Sequence, residues 1–225
     1  MPDFSLELLA LERAGILRTP FVAGIDEVGM VAIAGPIVAA AVVLVPWFNT
    51  RRDKWYLEID DSKKLSPKKR GQLYSLIIEK AQAVGIGWAP NMMIDADGVS
   101  IAHRSALVSA FSNCRAVLGA TNLVAVVDGE VLSSLRDDLG GSASVFTNKA
   151  DSRSYSVAAA SIIAKVERDF YMTMSRNTYK HHGFETHKGY ATAKHLAALR
   201  EHGVTSLHRR SFEPLKSGNF PRFIS

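Results

Sequence analysis

Cysteine is nearly absent from this 225-residue chain, in which Cys114 stands alone. A single cysteine cannot form an intramolecular disulfide, so a disulfide-stabilised secreted domain is excluded. The first residues, Met1 to Phe4, also lack the basic, apolar and small-residue regions of a secretory leader. Together these absences favour a reducing compartment, and we expect a cytoplasmic protein.

Apolar stretches of membrane-spanning length are also scarce. The 18 residues from Val31 to Phe48 carry no charge, which reaches the lower limit for crossing a bilayer. Gly35, Pro36 and Pro46 interrupt this stretch, and its Val, Ile and Ala content is typical of a buried strand. The sequence thus predicts no membrane span. With 47% hydrophobic residues, the chain can form one sizeable core, or a main domain with a small appendage.

Negative charge is sparse in the last third of the chain. Residues 147–225 carry 13 Lys and Arg against 6 Asp and Glu, whereas residues 1–146 carry 14 against 16. A basic C-terminal third on a mildly acidic body is typical of a surface that binds a polyanion, although a generally basic soluble protein is the alternative. Six of the seven histidines also lie in this third. Because they show no metal-ligand spacing beyond the adjacent His181 and His182, we expect most of them to face solvent or phosphate.

Two adjacent carboxylates, Asp26 and Glu27, end a short β-prone run that begins at Phe21 and is followed by Gly29. Successive side chains of a strand point to opposite faces, so both acids can act on one target only if Glu27 acts from the end of the strand. The glycine that follows loosens the backbone there. This arrangement favours a divalent metal site over an acid–base pair, with a polar strand-to-turn junction as the alternative.

The remaining pattern alternates strands and helices, which predicts an α/β or α+β fold with a layered sheet. Ser66 is a good N-cap with Pro67 at the first helical position. The predicted helices cover about 3–18, 67–82, 95–118, 151–175 and 192–202, and the predicted strands cover about 21–28, 37–45, 83–89, 122–129 and 143–147. We see no linker long enough to separate two domains.

Two further acids share the context of the first pair. Asp128 ends another strand, and Asp151 stands where a loop enters a helix. Ligand sites gather at strand ends in open sheets, so these acids can converge with Asp26 and Glu27. Four carboxylates without cysteine or paired histidine select Mg²⁺ or Mn²⁺ over zinc. Two such ions are the usual device for phosphodiester hydrolysis, whereas each aspartate taken alone is more often a turn former.

Several segments, in this order, resemble the motifs of bacterial type 2 ribonuclease H, or ribonuclease HII. They cover nearly the whole chain, from about residue 20 to 215: Gly24–Gly29, Ile33–Pro36, Asp61–Ser66, Val127–Gly129, Lys149–Ser152, Ala158–Asp169, His187–Thr192 and His208–Phe212. The resemblance implies an RNase H-like α/β fold with a five-stranded mixed sheet flanked by helices. It also implies a catalytic domain at 1–175 and a small, basic helical module at 176–225 that assists nucleic-acid binding.

The resemblance further implies Mg²⁺- or Mn²⁺-dependent endonucleolytic cleavage of RNA in RNA/DNA hybrids. Ribonucleotides embedded in duplex DNA are incised on their 5′ side, leaving 3′-hydroxyl and 5′-phosphate ends. The family's metal-binding carboxylates fall on Asp26, Glu27, Asp128 and Asp151. Its nucleic-acid contacts fall on Gly29, Met30, Val31, Ser62, Lys63, Lys64 and Tyr190, of which Tyr190 matches the tyrosine at the RNA–DNA junction. Arg209 is also predicted to contact the nucleic-acid backbone, with a structural clamp on the C-terminal module as the alternative for Arg209 or Arg210. A monomer without membrane association is expected.

The sequence departs from the family at one recognition loop. The family usually has Gly-Arg-Gly after Asp-Glu-Val, whereas this chain has Gly29, Met30 and Val31. If that last glycine needs positive φ, valine is strongly disfavoured there, and recognition of a single embedded ribonucleotide is weakened. Two alternatives remain open at this point: a non-catalytic hybrid-binding protein of the same fold, and a different carboxylate-metal DNA nuclease. Finally, Asp169 is too far along its helix to serve the same metal, and we assign it to an ion pair involving Arg168 or the neighbours of Arg153.

Overall fold

A five-stranded mixed sheet forms the centre of the protein, as the sequence predicts. The computed structural model describes residues 1–15, 21–44, 54–119, 122–218 and 220–221. The strands are β1 (Phe21–Val28), β2 (Ile37–Val43), β3 (Ala83–Ala89), β4 (Leu123–Asp128) and β5 (Val145–Thr147). Their order in the sheet is β3-β2-β1-β4-β5, with β1 antiparallel to β2 and parallel to β4. The sheet therefore turns from antiparallel to parallel at β1, which carries the first acids.

Helices cover both faces of this sheet. They are α1 (Ser5–Ala14), α2 (Pro67–Lys80), α3 (Asn91–Asp97), α4 (Val99–Leu118), α5 (Tyr155–Met174), α6 (Phe184–His187) and α7 (Ala193–His202). On one face α4 packs against β1, β2 and β3, and on the other α5 and α2 pack against the alternate side chains of β2. The strand β2 is buried along its whole length, which explains its uninterrupted apolar sequence. None of the described helices is long and apolar enough to cross a membrane.

Most predicted boundaries agree with the structure to within a few residues, with three exceptions. The first helix ends at Ala14, before the predicted residue 18, because Gly15 caps it at φ 78°. The helix predicted from residue 151 begins at Tyr155, after a 3₁₀ turn, and the third exception lies around residue 98. The single helix predicted for 95–118 is wrong, because Gly98 at φ 88° separates α3 from α4 and a helix cannot continue through that conformation. Ser66 caps α2 as predicted, accepting a hydrogen bond from the Lys69 amide at 3.3 Å. The ends of two predicted elements, residues 16–18 and 45, lie outside the described residues.

Residues 176–218 pack against α5 and the loop that follows β1. Phe184 and Leu207 from this segment form a small apolar cluster with Ala34 and Met172. The Ile33 amide donates to the Gly189 carbonyl at 2.9 Å, and the Arg209 amide donates to the Ile33 carbonyl at 2.9 Å. The C-terminal segment is thus fastened by backbone hydrogen bonds to the loop that leads away from the acidic end of β1.

Candidate active site

The parallel pairing of β1 with β4 brings two of the predicted acids to one edge of the sheet. Ile25 lies opposite Val127 in this ladder, so Asp26 and Asp128, each one residue further on, leave the sheet side by side. Glu27 follows at the end of β1, where a side chain of the opposite strand face can turn toward the same edge. Asp128 is fixed by the Ala150 amide, which donates to its Oδ1 at 2.8 Å.

The fourth acid, Asp151, lies in a 3₁₀ turn, Ala150–Ser152, just before α5 begins. The start of α5 lies directly against β1 at Gly24, where an added Cβ would meet the carbonyl carbon of Ser156 at 2.1 Å. Ser154 caps the helix, and the buried Glu7 of α1 accepts hydrogen bonds from the Ser154 hydroxyl at 2.6 Å and the Ser156 amide at 3.0 Å. Glycine in β1 and a carboxylate from α1 therefore place Asp151 beside the acids of β1.

The resulting cluster is electrostatically unfavourable in the protein alone. Asp26 is 7% exposed and Asp151 is 5% exposed. Burial, followed by repulsion from Glu27, Asp128 and Asp151, raises the pKa of Asp26 well above its ordinary value. Burial also raises the pKa of Asp128, with Asp151 and Glu27 adding to the shift. A positive charge placed among these groups would relieve both effects.

The protein supplies a basic group to only one edge of this cluster by direct hydrogen bonding, as far as the described residues go. Lys63 Nζ donates to Asp151 Oδ2 at 3.1 Å. Burial would lower the pKa of this lysine, but the hydrogen bond and the charge of Asp151 outweigh it and raise the pKa. On the other side, His103 Nε2 lies 3.3 Å from Glu27 Oε2, yet both atoms are buried without a hydrogen-bond partner. The sequence reasoning missed His103, although a histidine on the apolar face of α4 is a recognisable signal.

These residues fit a hard divalent cation. The donor set is entirely carboxylate oxygen, which Mg²⁺ and Mn²⁺ prefer, and the buried Glu27 Oε2 has no donor of its own. The four side chains have not closed on a single point: within the described part of the chain, no three His, Cys, Asp or Glu side chains are arranged to hold an ion. Glu27 and Asp128 face a cavity of about 830 Å³.

The three predicted phosphate contacts of the loop before α2 differ in what they can reach. Ser62 is buried, and its amide donates to Ser161 Oγ at 3.3 Å, so it supports the loop and is not presented to solvent. Lys63 faces Asp151, as described above. Lys64 is paired with Asp60 at 3.0 Å on the surface. The structure therefore places Lys63 at the carboxylates, while direct phosphate contacts of Ser62 and Lys64 stay predictions.

The loop after β1 differs from the sequence-based expectation in its backbone. Gly29 has φ 95°, and a Cβ there would lie 2.3 Å from Arg168 Nε, so glycine is required at this position. The described non-glycine residues with positive φ are Lys149 and Lys188, so Val31 is not among them. The premise that Val31 strains the loop is therefore wrong. Val31 is 77% exposed, and Met30 packs partly against the core.

Tyr190 lies next to this loop with its ring against two basic side chains. The guanidinium carbon of Arg168 is 5.3 Å from the ring centroid and Lys165 Nζ is 5.8 Å from it. The ring is half-buried. Asp169, close by on α5, pairs with Lys165 at 2.8 Å, so the predicted pairing with Arg168 or the neighbours of Arg153 is wrong. A lysine four residues earlier on the same helix is the favoured partner.

Arg209 is fully buried, which contradicts its prediction as a direct nucleic-acid contact and agrees with the alternative of a structural clamp. Its Nε donates to the Gly35 carbonyl at 2.9 Å, and its Nη1 donates to the Met30 carbonyl at 3.0 Å. Arg168, also fully buried, donates to three carbonyls, those of Pro36, Ala34 and Lys188, at 2.9 to 3.0 Å. Both guanidinium groups therefore hold the segment of residues 30–36, which follows β1, from inside the protein.

The histidines also differ from their predicted role. Four of the six in the C-terminal third are buried, so they face neither solvent nor phosphate: His182, His187, His195 and His208. Nothing in their sequence spacing distinguishes them from surface histidines. Their burial arises from the way α6, α7 and the segment around His208 fold around Phe184.

Comparison with known proteins gives a consistent result. The family model described as Ribonuclease HII matches residues 23–215. The Ribonuclease HII of Chloroflexus aurantiacus is 40% identical over 96% of this chain and 95% of its own length. The crystal structure of ribonuclease H2 from Pyrococcus horikoshii has the same fold, with a TM-score of 0.73, 24% identity, and coverage of 87% of this chain and 95% of that one. The structure of Bst-RNase HIII in complex with Mn²⁺ is similar at a TM-score of 0.67 and 22% identity, over 91% of this chain and 70% of that one.

Proposed function

Because the chain belongs to the ribonuclease HII family, we propose that it is an endonuclease that hydrolyses the RNA strand of RNA/DNA hybrids. The observation that carries this proposal is the group of four carboxylates at one sheet edge, of which Asp26 and Asp151 are buried and Glu27 and Asp128 are partly buried. Burial and repulsion within this group raise the pKa of Asp26 and Asp128, so the fully ionised cluster is unfavourable unless a cation binds. A protein that only binds nucleic acid would not need four carboxylates in such an unfavourable cluster.

The four carboxylates would hold the divalent ions, Mg²⁺ or Mn²⁺. When bound, two such ions supply an activated water and charge neutralisation for in-line displacement at a phosphodiester, leaving a 3′-hydroxyl and a 5′-phosphate. The residues of the chain have their own tasks. The Ala150 amide holds Asp128 in place, and Lys63 holds Asp151 and adds positive charge beside the scissile phosphate. The same site would incise on the 5′ side of a ribonucleotide embedded in duplex DNA.

Substrate recognition falls to the loop of Gly29, Met30 and Val31 and to Tyr190 beside it. Backbone groups of the loop are available to a 2′-hydroxyl, and the tyrosine ring can stack on a sugar or base while its hydroxyl bonds the ribose. Arg168 beneath the ring adds positive potential without reaching solvent. This division of labour corresponds to a catalytic domain at 1–175 and a helical module at 176–225, acting as a cytoplasmic monomer.

One assay separates this proposal from its rivals. The protein is incubated with Mg²⁺ or Mn²⁺ and three duplexes: an RNA/DNA hybrid, a DNA duplex with one ribonucleotide, and plain DNA. We expect cuts in the first two and none in the third. Cutting of plain DNA supports a DNA nuclease instead, and binding without cuts supports a non-catalytic hybrid-binding protein. Hybrid binding should weaken steeply with salt, because phosphate contacts release counterions.

A further inference from the structure

The buried histidines of the C-terminal module are connected to one another and to Tyr190. His195 is 0% exposed and His208 is 1% exposed, and their Nε2 atoms are 3.0 Å apart. The imidazole of His187 stacks on that of His195, with ring centroids 3.9 Å apart and an angle of 15° between the planes. His182 and the side chain of Phe184 close the cluster.

The hydrogen-bond partners at the two ends determine where every proton in this chain must lie. The Thr205 amide, which can only donate, is 2.9 Å from His208 Nδ1, so that nitrogen accepts. The Tyr190 carbonyl, which can only accept, is 2.9 Å from His195 Nδ1, so that nitrogen donates. A neutral imidazole carries one proton. His208 therefore donates from Nε2 to the unprotonated Nε2 of His195.

This chain of hydrogen bonds runs in one direction, and all of its donors and acceptors are paired in only one protonation state. It runs from Thr205 through His208 and His195 to the carbonyl of Tyr190. Protonation of His208 would set an N–H against the Thr205 amide, and protonation of His195 would set two N–H groups against each other. The last acceptor in this chain of hydrogen bonds is the backbone carbonyl of Tyr190, and Tyr190 is the residue that contacts the ribonucleotide in the proposed function. The same carbonyl accepts from the Thr192 amide at 2.8 Å, so the loop is held from two sides.

We propose that His195 and His208 are positioning residues for substrate binding, which fix the backbone of Tyr190 through this chain of neutral imidazoles. The inference rests on the proposed role of Tyr190, although the chain itself can be tested without substrate. Neither histidine touches the substrate. Their effect is on the orientation in which the tyrosine ring meets the RNA strand, above Arg168 and beside the loop of residues 29–31.

The surroundings of the two imidazoles favour the neutral state. No carboxylate of the described residues pairs with either one. The titratable and charged groups that face the cluster are His182 and His187, the flanking Glu185 and Lys188 beside His187, and His181 and His202 beside His182. Burial, reinforced by neighbouring histidines, lowers the pKa of His195 to about 4 and that of His208 to about 3. The contribution of these two histidines to hybrid affinity should therefore be constant near neutral pH and be lost only on acidification to about pH 4, well below the usual histidine range.

The first test reads the protons directly in the full-length protein. Side-chain ¹H–¹⁵N NMR distinguishes the two neutral tautomers of each histidine. We expect His195 to carry its proton on Nδ1, and His182, His187 and His208 to carry theirs on Nε2, since their Nε2 atoms face a carbonyl or His195. A protonated His195, or one with its proton on Nε2, overturns the inference. This result does not depend on whether the protein cleaves RNA.

The second test separates the bond to Tyr190 from general stability. His195→Phe keeps the ring stack but removes both hydrogen bonds, and His195→Asn retains an N–H at the position of Nδ1. On an RNA/DNA hybrid we expect His195→Phe to raise KM about three- to tenfold with kcat nearly unchanged, as for the loss of one hydrogen bond. His195→Asn should stay within about twofold of the wild type, as should the control His181→Phe, whose side chain is exposed and outside the chain.

Equal KM values for His195→Phe and His195→Asn would overturn the inference, because the donor to Tyr190 would then have no effect. A fall in kcat with unchanged KM would also overturn it. If wild-type protein cleaves no hybrid at all, the proposed function fails, while the NMR result still decides whether the chain exists. Melting temperatures of all variants identify any that fail to fold, and for those the tautomer of wild-type His195 is the deciding measurement.

Discussion

Two groups of like charge lie close to β1 and the loop that follows it, and they differ in how many hydrogen bonds the protein provides to them. The carboxylates of Asp26 and its neighbours have few protein donors, and one oxygen of Glu27 has none. The guanidinium groups of Arg168 and Arg209 are also buried and close enough for burial and Arg168 to lower the pKa of Arg209 to about 9. Between them, however, they donate five hydrogen bonds to backbone carbonyls.

This difference distinguishes a candidate ligand-binding site, the carboxylates, from structural groups that stabilise the fold, the arginines. Buried charges are tolerated when hydrogen bonds replace the lost water. Arg168 meets this condition with all three of its guanidinium nitrogens, and Arg209 meets it with two, since its Nη2 is buried without a partner. Aromatic faces add to it, since Arg168 lies against Tyr190 and Arg209 against Phe212. The carboxylates do not meet it, so they require a cation from outside. The predictions below test this contrast by altering one group at a time.

The largest effect is expected for Asp128→Asn. The amide keeps the shape of the side chain but removes a metal ligand, so cleavage of a hybrid should fall by about a thousandfold or more while hybrid binding changes little. Without metal the variant should melt about 2 °C higher, because repulsion within the cluster is relieved. Single-turnover cleavage, binding and thermal unfolding measure these effects. Asp137→Asn, an exposed aspartate, is the matched control, and near-normal turnover of Asp128→Asn would remove Asp128 from the site.

The guanidinium pair should respond in stability. Arg168→Met leaves the carbonyls of Ala34, Pro36 and Lys188 without their donor, at about 1 kcal/mol each, partly offset by relief of the desolvated charge. We expect a loss of about 2 kcal/mol in the free energy of unfolding, measured in urea. Arg176→Met, at an exposed position, should change it by less than about 0.5 kcal/mol. An unchanged stability for Arg168→Met would mean that water replaces the guanidinium.

The sequence predicted the sheet and the acids more fully than it predicted the support. Strands such as β2 and capped helices such as α2 are determined by local sequence patterns. Acids at strand ends can be recognised because an apolar run precedes them. Arg209 and His195 have no such local signature. A basic side chain in a basic segment is expected to be exposed to solvent. Only the packing of residues 176–218 against α5 shows which basic side chains are buried. Gly98 was missed because a single glycine is tolerated in many helices.

The pH dependence of stability should also separate the two groups. The folded state raises the pKa of Asp26 and Asp128, so it binds protons more tightly than the unfolded state does. Their contribution to stability is present below pH about 4 and is lost as pH rises through the folded pKa values. In the presence of a chelator, the free energy of unfolding should thus decrease above about pH 4 as these two carboxylates ionise. Mn²⁺ or Mg²⁺ should restore it, raising the melting temperature by about 2–4 °C at pH 8 and by less at pH 5.

Asp26→Asn provides the control for this measurement. The variant should show a smaller difference between metal and chelator at pH 8, and a weaker decline of stability with pH in the chelator. A melting temperature that rises equally with metal at both pH values would place the ions away from the titrating carboxylates, because proton release would then play no part in binding.

The smallest effect concerns Met30 and Val31, which lie between the two charged groups. The Met30 carbonyl is held by Arg209, and its side chain lines the cavity beside Glu27. The weakened recognition inferred from the sequence implies that Met30→Arg with Val31→Gly strengthens recognition of a single ribonucleotide, partly by relieving strain. Since Val31 does not have positive φ and is 77% exposed, glycine there relieves nothing and adds only backbone entropy to the unfolded chain.

The gain should therefore come from Met30→Arg alone. An arginine in this loop adds one phosphate-facing charge without changing the backbone path fixed by Gly29 and Arg209, and we expect about a two- to fivefold rise in kcat/KM on a duplex with one ribonucleotide. Val31→Gly alone should leave kcat/KM within about twofold and lower stability by about 0.5–1 kcal/mol.

Comparing the two single variants with the double variant, at two salt concentrations, separates the effect of the added charge from the effect of backbone freedom. A gain from Val31→Gly that persists at high salt would mean that the valine does restrain the loop, whereas equal or lower values for Met30→Arg would mean that the missing arginine does not limit recognition.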